Sequence, residues 1–434
     1  MELVILGAGE SGVGAALLAK AKRIPVFVSD RSAIAPAYRA ELEAAGIAYE
    51  AGQHSEQRIL DAREVIKSPG IPGDIPLVKN IRERGIPVVS EIAFAARYTQ
   101  AFTIGITGTN GKTTTTRLCY HLLKEGGLST AMGGNVGQSF ARLLTQAPKD
   151  FYVLELSSFQ LEDIEAYRPD ISLLLNISPD HLDRYDQRMD RYIRAKYNIQ
   201  MNQRSSDWFL YNKDDPNIRQ YFDQWRGRAQ TEGLTTRQIN GMRLTAGDEV
   251  FDLRNTALLG QHNAMNALFA IRVAQHLKIG SAEIQRALAS FVPAPHRMEA
   301  VGHLNGMRFI NDSKATNVDA VYYALQAMAD AVIWIAGGQD KGNDYQALQA
   351  LVREKVRVLI GLGIDNEKLF RAFGDLVDET IAVDSAEAAV QAALSVGRPG
   401  ETVLLAPACA SFDRFSNYEQ RGDLFREAVQ KRIT

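Results

Sequence analysis

A glycine-rich segment near residue 110 carries residue types suited to phosphate chemistry. Gly105, Gly108 and Gly111 precede Lys112 and Thr113, between a strand-like run, FTIGIT, and a helix-like run. Small residues let backbone N–H groups close around phosphate oxygens, a helix N-terminus favours negative charge, lysine reaches terminal phosphates, and threonine can hold Mg²⁺. Five residues separate Gly105 from Gly111, one more than in the standard phosphate-binding loop. We predict that this loop binds ATP together with Mg²⁺.

A second glycine motif, GxGxxG, follows the first strand-like run. It consists of Gly7, Gly9 and Gly12, and Asp30 ends the next strand-like run, where a ribose-binding acid would lie. Glu10 lies inside the loop and would oppose a pyrophosphate. The motif alone leaves three interpretations open: a dinucleotide such as NAD, another nucleotide-linked ligand, or a purely structural turn.

Acidic and basic side chains follow two further strand-like runs. Glu155 closes YVLE, and Asp180, His181 and Asp183 follow ISLLLNIS. Carboxylate and imidazole groups there suit metal or phosphate chemistry, although a histidine beside acids can also be an ordinary hydrogen-bonded turn residue. Lys196 lies in a helical stretch, DRYIRAKYNI, where a lysine usually belongs to a solvated face. Residue type and spacing alone therefore give Lys196 no role.

The last third of the chain repeats the pattern of polar residues after strand-like runs. NDSKATN covers residues 311–317, GGQDK covers 337–341 and PACAS covers 407–411. Polar and cationic groups at successive strand ends predict a pocket for a small anionic substrate, with loop capping as the alternative. Cys119 and Cys409 have no base partner that the sequence reveals, so both are predicted to be structural.

The elements that position these residues alternate between strand and helix along the 434-residue chain, apart from a polar stretch around residues 203–255. That length predicts two to four domains, and the alternation predicts parallel sheets with crossover helices. The alternation of strand and helix begins again near residue 98. Pro293 and Pro295 interrupt it, and it begins a third time after them. We predict an α/β protein of three domains, 1–97, 98–297 and 298–434.

Composition excludes several classes of protein. Lys and Arg number 49 against 51 Asp and Glu, a formal net charge of −2, which disfavours a protein held to nucleic acid by phosphate contacts. The amino-terminal sequence does not resemble a signal peptide, and no apolar run approaches the ~18 residues of a membrane span. Two cysteines without CxxC spacing indicate neither a disulfide framework nor a zinc site. We expect a cytoplasmic protein with no nucleic-acid partner and no membrane insertion.

Seven motifs follow one another along the chain: GTNGKTTT, ELSSFQL, NISPDHLDRY, GQHNAMNAL, PHRME, NDSKATN and PACASFDRF. Together they resemble the Mur ligase family, over all three predicted domains. With SDRS and SPG in the first domain, the resemblance is to members that add D-glutamate to UDP-N-acetylmuramoyl-L-alanine in peptidoglycan precursor synthesis. It implies a Rossmann-like N-terminal domain for the UDP substrate and a central P-loop ATPase-like domain. It also implies a Rossmann-like C-terminal domain that binds the amino acid and closes on ATP, with Arg297 at the hinge.

The resemblance also implies a reaction: ATP activates a carboxylate as an acyl phosphate, the amine attacks it, and ADP and phosphate leave. Two Mg²⁺ ions are implied. The catalytic positions are Lys112, His181 and Lys196, and Lys196 would be carbamylated, which turns a cation into a carboxylate-like ligand. The implied metal positions are Thr113, Glu155, His181 and Lys196. The implied ATP-binding positions are Gly108, Thr109, Asn110, Gly111, Lys112, Thr113, Thr114, Asn263, Asn266, Arg297, Asp312 and Lys314.

Two further sets of positions match the substrate sites of the family. The implied UDP-substrate positions are Glu10, Ser11, Asp30, Arg31, Ser68, Pro69, Gly70, Asn135 and His181. The implied D-glutamate positions are Thr316, Lys341, Ser411, Phe412 and Tyr418. Lys341 is a natural partner for a carboxylate.

Other functions stay open at this point. A related ligase of the same group could add a different amino acid. A folylpolyglutamate synthase would lack the first domain with its SDRS and SPG. An NAD-dependent oxidoreductase built on the GxGxxG motif would leave the ATP loop unexplained. A regulatory ATP-binding module would leave the predicted pocket for an anionic substrate, in the last third of the chain, without a function.

Overall fold

The computed structural model describes residues 2–164, 167–258, 260–340 and 342–433, so Lys341 of the predicted D-glutamate site lies outside the described residues. Contacts divide the chain into two compact units, 1–252 with 266–289 and 253–265 with 290–434. The predicted domain limits at residues 97 and 297 stay predictions, because this division does not separate the first two sheets. No helix in the described ranges has both the length and the apolar character needed to cross a membrane.

The amino-terminal part of the first unit holds a five-stranded parallel sheet. Its strands are β1 (Leu3–Leu6), β2 (Val26–Asp30), β3 (Ala48–Ala51), β4 (Glu64–Lys67) and β5 (Val88–Val89). Its helices are α1 (Glu10–Ala21), α2 (Pro36–Ala44), α3 (Glu56–Leu60), α4 (Pro76–Glu83) and α5 (Glu91–Ala96). The strand order is β3-β2-β1-β4-β5. All four residues of β1 are buried, which explains the uninterrupted apolar run, because helices cover both faces of such sheets.

The second sheet of the first unit has six parallel strands. They are β6 (Phe102–Thr107), β7 (Thr130–Gly134), β8 (Phe151–Glu155), β9 (Ile171–Leu174), β10 (Trp208–Asn212) and β11 (Gln230–Leu234). The helices between them are α6 (Lys112–Glu125), α7 (Phe140–Leu143), α8 (Met189–Tyr197) and α9 (Pro216–Trp225). The order β11-β10-β9-β6-β8-β7 places β6, which leads into the phosphate loop, between β9 and β8. Glu155 and the residues after β9 therefore flank that loop.

A small antiparallel sheet follows within the polar stretch around residues 203–255. It consists of β12 (Ile239–Asn240), β13 (Arg243–Ala246) and β14 (Glu249–Asp252). After it come the helices α10 (Gly260–His276) and α11 (Ser281–Ser290). This sheet departs from the predicted alternation of strand and helix, and so does the direct succession of α10 and α11.

The second unit holds the last sheet, which has six strands. They are β15 (Glu299–Leu304), β16 (Met307–Asn311), β17 (Val332–Ala336), β18 (Val356–Leu362), β19 (Glu379–Val383) and β20 (Thr402–Leu405). The helices are α12 (Val318–Gln326), α13 (Gln349–Lys355), α14 (Glu367–Phe373), α15 (Ala386–Val396) and α16 (Tyr418–Gln430). The order is β15-β16-β20-β17-β18-β19, and only β15 pairs antiparallel to its neighbour among the described pairs. The predicted α/β class is confirmed.

The first two sheets of the first unit are joined by close side-chain contacts. A Cβ on Gly14 of α1 would overlap Ser139 Oγ, next to α7. Lys67 Nζ lies 3.1 Å from Asp163 Oδ2, and both side chains are buried. Such buried ion pairs and close approaches fix one element against another, so the loops after β1 and β4 are held against the central sheet.

Candidate active site

The phosphate loop occupies residues 108–111, between β6 and α6. Gly111 has φ 81°, in the left-handed region, and a Cβ there would overlap Asn266 Oδ1 of α10. The residue that braces the loop is Asn176, which follows β9. Its backbone oxygen accepts from Thr109 N at 2.9 Å, and its Oδ1 accepts from Asn110 N at 2.8 Å. The loop is therefore a fixed cradle with Asn266 beside it.

Two lysines meet at this loop. Lys112 Nζ and Lys196 Nζ each donate to the backbone oxygen of Gly108 at 2.8 Å. Lys196 is only 1% exposed, so the expectation of a solvated face is wrong. The Lys196 side chain is directed inward from its helix, and its Nζ lies 4.6 Å from the centroid of the Tyr192 ring. Burial, and then the charge of Lys112, lower the pKa of Lys196 well below the usual value, while Asp180 and Glu155 act in the opposite direction.

Glu155 ends β8 beside the loop and is buried. Its Oε1 accepts from Asn135 Nδ2 at 2.8 Å. Its Oε2 is buried and has no hydrogen-bond partner in the described part of the chain. A buried carboxylate oxygen without a hydrogen-bond partner is able to bind a cation or a donor group of a ligand. The amide of Asn135, predicted to contact the UDP substrate, thus positions Glu155.

His181 lies at the start of a short turn after β9. It has φ 52°, and its side chain is 46% exposed. Its Nε2 lies 3.5 Å from Asp180 Oδ2, and its ring packs edge-on against Phe159 at 5.1 Å between centroids. In the phosphate loop, Thr109 Oγ1 lies 3.0 Å from Tyr192 OH. The structure therefore gathers Lys112, Glu155, Asp180 and Lys196 around the loop, with His181 at the exposed side.

The GxGxxG loop is held by the acid predicted to bind ribose. Asp30 Oδ2 accepts from Ala8 N at 2.7 Å, and its Oδ1 accepts from Ser32 N at 2.8 Å. Ser68 Oγ, after β4, donates to Gly7 O at 3.3 Å. Asp30 and Ser68 therefore lie at one end of the sheet. Of the other predicted UDP-substrate residues, Ser11 lies in the first turn of α1 and Arg31 is exposed after β2, whereas Pro69 and Gly70 form the turn after β4.

Glu10 is engaged by the central part of the first unit. Its Oε1 accepts from Ser139 N at 2.9 Å, Ser139 Oγ at 3.0 Å and Arg142 Nε at 2.8 Å. Burial by itself would raise the pKa of Glu10, but these donors hold it below its usual value. The negative charge expected to oppose a pyrophosphate is thus compensated by Arg142.

The predicted ATP residues of the second unit lie around the start of its sheet. Asp312 follows β16, and its Oδ1 accepts from Met298 N at 3.2 Å. Burial raises the pKa of Asp312 to about 6, and the charge of Arg297 acts in the opposite direction. Lys314 Nζ lies 3.7 Å from the ring centroid of Tyr418. Asn263 is buried in the same unit, whereas Asn266 belongs to the first.

The other described D-glutamate positions lie in the loop after β16, in the loop after β20 and at the start of α16. Ser411 is buried after β20, while Phe412 is 68% exposed. Tyr418 begins α16, and its backbone oxygen accepts from Ser313 Oγ at 2.8 Å. Cys409, beside them, is a buried free thiol, and so is Cys119. Burial raises the pKa of both thiols, as expected of structural cysteines.

Two residues of the site were missed by the sequence reasoning. Asn176 and Tyr192 brace the phosphate loop, yet neither belonged to the predicted set. For Asn176 a signal existed, because it stands directly after the run ISLLL, where Glu155 stands after its own strand. For Tyr192 no local signal existed, since its contact with Thr109 joins residues far apart in sequence.

The chain matches the models of a known protein family. Three family models match: the Mur ligase MurD-like N-terminal domain over residues 1–90, the Mur ligase middle domain over 106–274, and the Mur ligase glutamate ligase domain over 296–409. A protein of Christiangramia forsetii named UDP-N-acetylmuramoylalanine--D-glutamate ligase is 47% identical, with 99% of both chains covered. The chain belongs to the Mur ligase family. The resemblance drawn from the motifs is confirmed.

Further relatives of this Mur ligase agree. A protein of Porphyromonas gingivalis with the same name is 47% identical over 99% of this chain and 98% of its own. The solved MurF ligase of Thermotoga maritima, in complex with ADP, has the same fold at a TM-score of 0.63 and 15% identity, covering 94% and 95% of the two chains. The three-domain architecture is confirmed, and the chain is an ATP-dependent amide-forming ligase. An NAD-dependent oxidoreductase no longer has support.

The residues of this Mur ligase fit a divalent cation at Glu155. The Oε2 atom, which has no partner in the described residues, is a hard oxygen donor beside the phosphate loop, and Thr113 lies in the first turn of α6, directly after that loop. No group of three or more His, Cys, Asp or Glu side chains forms a metal site within the described ranges. A single carboxylate oxygen beside a phosphate-binding loop suits Mg²⁺, which binds through one or two carboxylates together with substrate phosphates.

Proposed function

We propose that the protein joins D-glutamate to UDP-N-acetylmuramoyl-L-alanine, with cleavage of ATP to ADP and phosphate, in cytoplasmic synthesis of peptidoglycan precursors. The observation that carries the proposal is the convergence of Lys112 and Lys196 on the Gly108 carbonyl, next to the orphan carboxylate oxygen of Glu155. The names of the relatives that are 47% identical support the choice of substrates.

The first step activates the carboxylate of the L-alanyl group. A carboxylate oxygen attacks the γ-phosphorus of ATP, the bond to the β,γ-bridging oxygen breaks, and ADP leaves. The backbone N–H groups of the loop and Lys112 neutralise charge on the phosphoryl oxygens, so they stabilise this transition state. Lys112 exchanges its bonds to the loop carbonyls for bonds to phosphate.

The second step forms the amide. The amine of D-glutamate attacks the carbonyl carbon of the acyl phosphate, the tetrahedral adduct expels phosphate, and the nitrogen loses a proton. Holding the amine against the acyl phosphate replaces a bimolecular encounter by a positioned one. We assign D-glutamate to Thr316, Lys341, Ser411, Phe412 and Tyr418. Lys341→Ala should raise the apparent KM for D-glutamate, and an unchanged KM would remove that residue from the set.

Lys196 becomes a ligand in this proposal. Its buried amine has a lowered pKa, so the neutral form that attacks CO₂ is accessible. A new N–C bond forms, one proton leaves, and the product is a carbamate with two oxygen donors. Two Mg²⁺ ions, when bound, would supply positive charge to the phosphoryl oxygens, held by Thr113 and Glu155 on one side and by His181 and carbamylated Lys196 on the other.

The substrate nucleotide is assigned to the first sheet. The loop of Gly7 to Gly12, braced by Asp30 and Ser68, is the backbone cradle for the UDP portion. Ser11, Arg31, Pro69 and Gly70 complete the assignment. The ATP assignment of Asn263, Arg297, Asp312 and Lys314 likewise stays a prediction.

One assay tests the function. Phosphate release from ATP is followed with UDP-N-acetylmuramoyl-L-alanine, Mg²⁺ and a panel of D- and L-amino acids, and the product mass is measured. We expect turnover only with D-glutamate. Turnover with a different amino acid would indicate the related ligase of other specificity, and no turnover would reject the proposal. With the substrate carboxylate labelled by ¹⁸O, one label should appear in phosphate if an acyl phosphate forms.

A further inference from the structure

Arg421, in α16, is the most unusual charge of the second unit. It is 1% exposed and is among the largest fully buried side chains. In the described part of the chain, no carboxylate lies within ion-pair distance of it. Burial lowers the pKa of Arg421 to about 10, although Cys409 and Asp413 act in the opposite direction. A buried cation without a paired anion is costly to keep.

The guanidinium is held by neutral acceptors from two strand-end loops. Its Nε donates to Ser313 Oγ at 3.0 Å, and its Nη2 donates to Ser313 O at 2.9 Å. Both Nη atoms lie 3.4 Å from Cys409 O. Ser313 follows β16 and Cys409 follows β20. A Cβ added to Gly338, after β17, would lie 3.3 Å from Nη1.

These three loops follow neighbouring strands in the middle of the sheet, since its order runs β16-β20-β17. The carboxyl ends of parallel strands are where such sheets bind ligands. The same loops carry the predicted D-glutamate residues Thr316 and Ser411, which lie three and two residues beyond Ser313 and Cys409. The guanidinium therefore contacts two of the loops that carry the predicted amino-acid residues.

A second arginine of this sheet, which is mostly buried, is paired with a carboxylate. Arg357, at the opposite end of β18, forms two bonds to Glu401, at 2.5 and 2.7 Å. Carbonyl dipoles reduce the field of Arg421 but leave its unit charge uncompensated, and that field reaches farther where water is excluded.

We propose that Arg421 is a positioning residue whose positive charge makes the pocket select a dicarboxylic amino acid over its amide. The inference rests on the proposed function. Arg421 does not touch the amino acid, because it is buried beneath the loops. It acts through its electric field and by holding the Ser313 and Cys409 loops at a fixed separation.

The test compares D-glutamate with D-glutamine, which has the same size and a neutral side chain. The ratio of their kcat/KM values is measured in the wild type, Arg421→Met, Arg421→Lys and the control Arg357→Met, with Ki replacing kcat/KM where turnover is too slow. Arg421→Met should lower the ratio about tenfold or more, which is about 1.4 kcal/mol. Arg421→Lys, which keeps the charge, and Arg357→Met should keep the ratio within about threefold of wild type.

Other outcomes overturn the inference. An unchanged ratio of the two kcat/KM values in Arg421→Met would show that the charge of Arg421 does not affect selectivity. Equal losses of the ratio in the Met and Lys variants would show that Arg421 contributes only through packing. If the Met variant does not fold, Arg421→Gln replaces it. If neither folds, Arg421→Lys decides alone, since a retained ratio supports the inference and a tenfold loss rejects it. Wild-type failure with D-glutamate counts against the proposed function, whereas wild-type turnover with unaffected variants counts against Arg421 only.

Discussion

Lys112 and Lys196 donate to the same acceptor, the backbone oxygen of Gly108, each at 2.8 Å. One lysine begins α6, directly after the phosphate loop, and the other lies in α8, 84 residues later in sequence. Two ammonium groups around one oxygen repel each other, and Lys196 is also buried. The pair therefore favours the neutral amine at Lys196, in line with the lowered pKa of that side chain.

Removal of Lys196 should abolish most of the activity and leave a site that small carboxylates restore. Lys196→Ala is expected to lower kcat about 100-fold or more, because an oxygen ligand is lost. Formate or acetate should then recover part of the rate in steady-state assays. Arg194→Ala, an exposed position on the same helix, serves as the control and should stay near wild type. Full activity in Lys196→Ala would refute the ligand role.

Burial of Glu91 should make stability fall as pH rises. Glu91 is buried, its carboxylate accepts from Ala141 N, and its Oε2 has no partner in the described residues. Burial raises its pKa to about 8, against 4.5 when unperturbed. Above pH 4.5 the unfolded chain releases this proton, whereas the folded chain retains it until about pH 8. Its stabilising contribution is thus complete below pH 4.5 and lost as pH rises through about 8.

Glu91→Gln keeps the acceptor and does not ionise. Relative to wild type, its free energy of unfolding should therefore rise by about 3 kcal/mol between pH 5 and pH 8. Urea unfolding at pH 5, 6.5 and 8 measures the difference. Glu83→Gln, on an exposed part of α4, should show no such trend. Parallel pH curves for Glu91→Gln and wild type would rule out the raised pKa.

The strand-end positions of the site follow from the sequence, because they are encoded locally. An apolar run that ends in Gly, Asn, Asp or Glu marks the end of a strand, and the parallel arrangement then brings Glu155 and Gly108 to one edge. This is why the phosphate loop and its flanking acid could be placed before the structure was known. The small sheet β12–β14 was missed because its strands are two to four residues long and partly polar.

The burial of individual charges could not be deduced in the same way. Lys196 lies on a polar-looking helix, and only its contact with Gly108, 88 residues away, reveals that it faces inward. Arg421 likewise looks like a surface residue of α16 until its bonds to Ser313, 108 residues away, are known. Contacts across such separations depend on tertiary packing, which local pattern does not encode.

The contact of Glu10 with Arg142 should stabilise the first unit as a coupled pair. Their side chains are 28% and 14% exposed, with Arg142 Nε 2.8 Å from Glu10 Oε1. A double-mutant cycle of Glu10→Gln and Arg142→Met is expected to give a coupling energy of about 1 kcal/mol in urea unfolding. Glu41 also pairs with Arg142, but the energy of that pair cancels from the coupling energy because it is lost in both variants that lack Arg142. Zero coupling, with a raised KM for the uridine nucleotide in Glu10→Gln, would instead place the carboxylate at the substrate.

A methyl group at Gly111 should damage ATP binding far more than the same change at Gly127. The two glycines have nearly equal φ, 81° and 82°, so alanine strains the backbone equally at both, at about 1 kcal/mol of stability. They differ in space: a Cβ at Gly111 would overlap Asn266 Oδ1, whereas at Gly127 nothing lies within 4 Å. Gly111→Ala must therefore shift the loop against α10.

The expected result is a rise of about tenfold or more in the KM for ATP in Gly111→Ala, because a misplaced loop weakens every backbone contact to the phosphates. Gly127→Ala should keep the wild-type KM, although both variants lose similar stability in thermal unfolding. Equal KM values in the two variants would show that the loop tolerates the displacement.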